Sequence, residues 1–204
     1  MRTNGRRADA RENRRRLIDA VERLLVRDGT VTLGDLAEES GVSRSTTYRN
    51  FATADDAVAA FVDDFLDAFE TAATGLVDQH PDGAGRLRAL CAAWGDLVAE
   101  RSPALVHVRS TDGFLARVRS GDPVIGRIHR IVGSTIQDGV EAGDFAEVDV
   151  DYAVFLWNLL LDPRELLDLA EHRSISVAAA TSILTDELVG ILARPAVPGV
   201  SADG

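Results

Sequence analysis

Leu17, Val21, Leu24 and Leu25 recur at the 3.6-residue period and predict a helix over residues 12–27 with one buried stripe. Gly29 ends it. Thr32 opens a shorter helix, with Asp35 completing a capping-box pattern and Leu36 and Ala37 on the buried side. Ser40-Gly41-Val42 breaks that helix, and Gly41 can take the left-handed conformation that a tight helix–helix corner needs. Ser43 caps the next helix, which runs to about Asn50. Thr53 and Asp56 open a longer one, in which Val58, Phe61, Val62, Phe65, Leu66 and Phe69 keep the helical period. Further helices are expected over residues 84–100, 103–109, 123–142, 149–161, 164–172 and 176–193. Pro81, Pro103, Pro123 and Pro163 stand at their starts or breaks. No sustained alternating stretch argues for a strand. The pattern predicts an all-α chain: two short helices joined by a glycine corner and braced by longer ones, then a helical body.

Charge sharpens this division. The net charge is −11, which by itself speaks against a nucleic-acid partner. Residues 1–51, however, hold 11 Arg against 8 Asp and Glu, while the rest holds 11 against 25. A basic head on an acidic body points to nucleic acid, contacted through the head alone. The expected organisation is a flexible Arg-rich arm over 1–10, a helix-turn-helix domain over 11–53, a ligand-binding and dimerisation body over 54–194, and a disordered tail over 195–204. The chain has no lysine, so every cationic phosphate contact must come from arginine.

The string T-L-G-D-L-A-E-E-S-G-V-S-R-S-T-T-Y-R-N-F-A-T-A-D-D-A-V at residues 32–58 resembles the DNA-binding signature of the TetR family of transcriptional regulators. The matching features are Thr32, Leu36-Ala37, Gly41-Val42-Ser43, Tyr48 and Phe51. Close resemblance covers residues 12–60; beyond that, size and the all-helical pattern match. The sequence departs from the family at Ser45, where glycine is usual, at Asn50, which replaces a frequent histidine, and at Ala54, where a phosphate-pairing lysine is usual.

At about 100° per residue, a helix with Thr47 at the centre of its buried face carries Ser45 and Arg49 on the opposite side. Arg44 and Tyr48 flank one edge of that stripe and Thr46 the other. A helix in the major groove presents such a stripe to base edges. Arg44 or Arg49 suits guanine O6 and N7, Ser45 and Thr46 suit phosphate or a thymine methyl, and the Tyr48 hydroxyl suits phosphate. Ser43 and Thr32, at helix N-termini, aim backbone N–H groups at phosphates. The resemblance also implies phosphate contact for Thr32, Tyr48 and Asn50. Arg6 and Arg7 are expected to enter the adjacent minor groove.

In the body, residues 152–161 are apolar nearly all round, broken only by Asn158. Such a helix must be covered on both sides, either as a central core helix or by a partner subunit. The resemblance implies the second, in a four-helix bundle with the last helix, and gives Phe155, Leu159, Leu184, Leu188 and Ile191 as interface residues of a homodimer. It also implies a small-molecule pocket in each body, for which Trp94, His107, Phe114 and Trp157 are candidate walls or else plain core. Arg101, Arg109, Arg117, Arg119, Arg127 and Arg130 face only Asp112 and Asp122 within residues 101–130. That local excess either favours an anionic ligand or pairs with acids on neighbouring helices.

Rival classes find little support. His80, His107, His129 and His172 are scattered, Cys91 is the lone cysteine, and Gly83-Ala-Gly85 lacks the third glycine and preceding strand of a dinucleotide loop. No G-x-S-x-G elbow occurs. These absences leave no enzyme, no cofactor or metal and no membrane span to expect, and the resemblance implies a cytoplasmic repressor released from a palindromic operator by a small ligand. The alternative is a DNA-binding protein that needs no ligand or answers to a protein partner.

Overall fold

The computed structural model describes residues 3–77, 79–108 and 113–193. Among them the chain is all-α, with no strand. Eleven helices follow one another: α1 Thr3–Asp28, α2 Leu33–Ser40, α3 Arg44–Asn50, α4 Ala54–Val77, α5 Gly83–Leu105, α6 Phe114–Ser120, α7 Pro123–Ile128, α8 Ser134–Glu141, α9 Val150–Leu160, α10 Pro163–Arg173 and α11 Val177–Leu192. A wide π turn, His129–Gly133, joins α7 to α8. No single helix among the described residues is long and apolar enough to cross a membrane.

Two compact units result. The first takes residues 1–67 and 101–110, so its border falls inside α4 and not at residue 53, and the end of α5 joins it. Packing explains the difference. Leu17, Val21, Leu24 and Leu36 are fully buried, and Ala57, Ala60 and Phe61 of α4 and Ala104 of α5 belong to the same core. Each large side chain removed from water there contributes about 1.5–3 kcal/mol, so this unit cannot close without the start of α4. Arg101 fastens the α5 end, 3.2 Å from Glu22 and 3.0 Å from Asp64, with its guanidinium over the Phe61 ring.

Residues 3–10 are helical, not an irregular arm: α1 begins at Thr3, and Arg6, Arg7, Ala8 and Ala10 favour a helix with no proline to stop it. The tail 195–204 lies outside the described residues.

The second unit comprises residues 68–100 and 111–204. Phe69, Trp94 and Trp157 form its aromatic centre, with the two indoles edge to face at 5.0 Å. Trp94 Nε1 donates to the Leu161 carbonyl at 2.8 Å, closing the end of α9. Asp122, Asp149, Asp162 and Ser176 cap α7, α9, α10 and α11, with proline in the first turn of α7 and α10. Two expectations shift here. α5 runs through Pro103 to Leu105 and no separate helix starts there; α6 arises where none was expected, with Phe114, Leu115 and Val118 on one side and none of its residues buried.

Cys91 is fully buried beside Thr185 and Trp157, whose Oγ1 and Nε1 find no hydrogen-bond partner of full geometry. Burial pushes its thiol from an ordinary 9.0 up to about 11, against the weaker opposing pull of those two neighbours. Well below pH 9.0 the thiol is neutral in both the folded and unfolded chain and stability is unaffected. Between that value and about 11 the unfolded chain ionises and the folded one resists, so stability falls as pH rises, by at most about 3 kcal/mol. No lysine titrates in this window. Urea unfolding at a series of alkaline pH values should show this slope, and Cys91→Ala should remove it.

Candidate functional site

The corner between α2 and α3 is built from local signals. Thr32 caps α2, accepting from the Asp35 backbone N–H at 3.2 Å while donating to the Asp35 carboxylate at 2.7 Å. At its other end Gly41 adopts φ +64°, the left-handed region that a side chain resists. The Ser40 hydroxyl accepts from the Val42 N–H at 3.2 Å and holds the turn. Ser43 then caps α3, accepting from the Thr46 N–H at 3.3 Å. Thr47, fully buried, donates from Oγ1 to the Ser43 carbonyl at 3.2 Å, and Phe51 closes the helix in the core.

That fixes which face of α3 looks outward. Arg44, Ser45, Tyr48 and Arg49 are exposed, Tyr48 by 57 %, and Thr46 and Asn50 are half-buried. Thr32 and Ser43 are exposed at their helix N-termini. The stripe is internally bonded. Arg49 Nη2 donates to Thr46 Oγ1 at 2.8 Å, and the Ser43 hydroxyl lies 3.0 Å from that oxygen and 3.2 Å from Ser45 Oγ. Asn50 turns back on its own helix, donating to the Thr46 carbonyl at 2.8 Å. Arg6 and Arg7 lie in the α1 backbone, with side chains outside the described residues.

Sequence reasoning missed the arginines of α1 that support this corner. Arg16 Nη2 donates to the Ser40 carbonyl at 2.6 Å, ending α2. Arg14 covers the Phe51 ring at 5.3 Å. Glu39 of α2 accepts from Arg23 and Arg27 at 2.7 Å each, and these hydrogen bonds, Arg23 first, hold its carboxyl below the usual range. Arginine count alone could not separate such braces from phosphate contacts.

The four residues expected to wall a pocket are divided between the two units. Trp94 and Trp157 pack on each other in the core of the second unit, Phe114 lies 6.1 Å from Phe155, and His107 belongs to the first unit, exposed against Gly29. Cavities of the second unit lie elsewhere. One of about 290 Å³ is lined by Glu70, Ala73 and Thr74 of α4, Leu90 of α5, Arg130 and Ile131 of the π turn, and Ser134 and Thr135 of α8. Three of those six arginines are paired: Arg101 as above, Arg117 with Asp122 at 2.9 Å and Arg127 with Glu70 at 3.0 Å. Arg130 has no acidic partner among the described residues.

The proposed interface residues also divide. Leu159 and Ile191 are exposed by 54 % and 41 %, and Leu184 and Phe155 are half-buried. Leu188 is fully buried in its own protomer and is corrected to a core residue, because the α11 stripe of Thr181, Thr185, Leu188 and Leu192 faces inward. Beside Leu159 and Leu184 runs an open groove of about 480 Å³ bounded by Glu165, Asp168 and His172.

No protein-family model and no curated protein matches the chain. Solved structures do. FadR from Bacillus subtilis, a transcriptional regulator in complex with stearoyl-CoA, is 15 % identical with a TM-score of 0.73, covering 85 % of this chain and 96 % of its own. The fatty acid degradation regulator FadR from Bacillus halodurans is 17 % identical with a TM-score of 0.72, covering 87 % and 95 %. A protein from Syntrophomonas wolfei assigned to the TetR-family transcriptional regulators is 14 % identical with a TM-score of 0.75, covering 93 % and 99 %. The chain therefore has the fold of the TetR-type regulators that the string at residues 32–58 resembles.

Proposed function

We propose that this chain is a homodimeric transcriptional regulator that reads a palindromic operator with α3 and, acting as a repressor, releases it when a small molecule occupies the second unit. The observation that carries the reading is the exposed polar stripe Arg44, Ser45, Tyr48 and Arg49 on a helix fixed by a buried Thr47 and a left-handed Gly41. The Arg49–Thr46–Ser43 chain of hydrogen bonds orders the stripe before any contact, which lowers the entropy lost on binding. Thr32 and Ser43 supply helix N-termini to flanking phosphates.

One head buries too little surface for specificity at cellular salt, so the reading requires two, set about 34–36 Å apart by a two-fold axis. Exposed Leu159 and Ile191 with half-buried Leu184 offer the apolar surface for that axis. Release follows from population shift: a ligand that binds better to a dimer whose heads are spread away from the DNA repeat favours that state. α4 and α5 have residues in both units, so a ligand against Glu70 or Leu90 acts on the helices that supply Phe61 and Ala104 to the head core.

Fluorescence anisotropy on DNA upstream of the gene, across a salt series with unrelated DNA as competitor, tests the reading. Arg44→Ala and Arg49→Ala together should weaken specific binding by about 10- to 100-fold, the worth of a bidentate guanine contact. Binding that never exceeds that to unrelated DNA, with no site found in a genome-wide selection, would overturn it in favour of control through a protein partner.

A further inference from the structure

The π turn His129–Gly133 widens one turn of the helix, and the hydroxyls that follow it serve its carbonyls. Ser134 Oγ donates to the Arg130 carbonyl at 2.6 Å, and Thr135 Oγ1 to that of Ile131 at 3.1 Å. The turn carries Arg130 to the rim of the 290 Å³ cavity. Arg88, Arg117, Arg127 and Arg164 of the same unit each pair with an acid, at 3.0, 2.9, 3.0 and 3.1 Å. Arg86, Arg119, Arg130 and Arg173 have no acidic partner among the described residues, and of these Arg130 lines the cavity. Leu90, Ala73 and Thr135 of its lining are buried, so the cavity sets two apolar side chains and a buried hydroxyl beside one arginine that has no acidic partner.

We propose that this cavity binds a small monocarboxylate, with the carboxylate on the Arg130 guanidinium and the apolar body over Leu90 and Ala73. The inference rests on the ligand-controlled reading above and gives that ligand a chemical class. A planar guanidinium fork matches a carboxylate, and the volume sits at the low end of ligand pockets, which excludes a large molecule. The remaining polar groups set the pattern further. The Thr74 proton is engaged with the Glu70 carbonyl at 2.7 Å and that of Ser134 with Arg130. Both hydroxyls therefore offer lone pairs only. They accept from a hydroxyl on the ligand but give nothing to a second anionic group, which the Glu70 carboxylate at the same rim repels. A hydroxylated monocarboxylate fits; a dicarboxylate does not.

Isothermal titration calorimetry of the full chain without DNA, with 4-hydroxybenzoate, hexanoate, succinate and neutral 4-hydroxybenzamide, tests this. The two monocarboxylates should bind and succinate should bind about tenfold more weakly or not at all. Arg130→Gln should weaken both monocarboxylates by about tenfold or more, as expected for a lost charge-assisted bidentate pair, and leave 4-hydroxybenzamide unchanged. Arg130 is exposed, so the variant should keep its helix content by circular dichroism; Arg119→Gln, exposed and outside the cavity lining, should bind like the parent. No heat from either monocarboxylate at millimolar concentration, equal affinity in Arg130→Gln, or preferred binding of succinate would overturn the proposal. None of these outcomes touches DNA binding, which the anisotropy experiment judges separately.

Discussion

Leu159→Glu combined with Ile191→Glu is expected to yield a folded monomer whose operator affinity is about a thousandfold weaker than the parent's. Leu159 and Ile191 are large apolar side chains exposed by 54 % and 41 %, on neighbouring helices α9 and α11. Glutamate in those places costs little in a monomer, where water solvates it. In a dimer it would be buried without a cationic partner, and each such burial costs several kcal/mol. The operator loss follows from symmetry. A dimer closes two half-sites in one event, whereas separate heads pay the translational and rotational entropy twice. Sedimentation velocity reads the association state, and anisotropy reads the affinity. Leu188→Ala is the contrasting variant: fully buried within its own protomer, it should lower the melting temperature and leave the sedimentation coefficient unchanged. A double glutamate variant that still sediments as a dimer would move the two-fold axis to another face.

The corner between α2 and α3 was legible in the sequence because its determinants are local. Thr32 with Asp35, Gly41, and Ser43 with Thr46 all act across three residues or fewer, and a helical wheel centred on Thr47 picks out the exposed face of α3. What sequence could not supply is pairing at long range. Arg16 reaches the Ser40 carbonyl 24 residues on, and Trp94 reaches Leu161 across 67, without any periodic trace. Leu188 shows the limit of periodicity: a stripe of apolar residues marks a buried face but not which partner buries it. The aromatic candidates show a related limit. Trp94 and Trp157 do meet, but as a packed core, while His107 and Phe114 sit in different surroundings. The first helix began earlier than its apolar stripe, since arginine and alanine extend a helix without leaving a hydrophobic mark.

Gly95→Val should lower stability by about 3 kcal/mol or more, among the larger effects open to one substitution. Gly95 is in the middle of α5, where glycine is disfavoured by roughly 0.5–1 kcal/mol against alanine, so something must require it. The requirement is the approach of α11. A Cβ at position 95 would lie 2.8 Å from Thr181 Cγ2 and 2.9 Å from its Cβ, and closer still to its hydroxyl. Thr181 cannot swing away easily. It is β-branched, buried, and its Oγ1 donates to the Val177 carbonyl at 2.8 Å. The two helices must therefore separate, loosening the Cys91–Thr185 contact and opening the core to a thiol reagent at neutral pH, where the parent's Cys91 should stay unreactive until global unfolding. Gly75→Ala in α4 isolates the cause. Nothing lies within 4 Å of a Cβ there, so the same loss of glycine should raise stability by about 0.5–1 kcal/mol through helix propensity alone. Thermal melts of the two variants should move in opposite directions; a Gly95→Val protein that melts with the parent would mean that α5 and α11 do not meet at this contact.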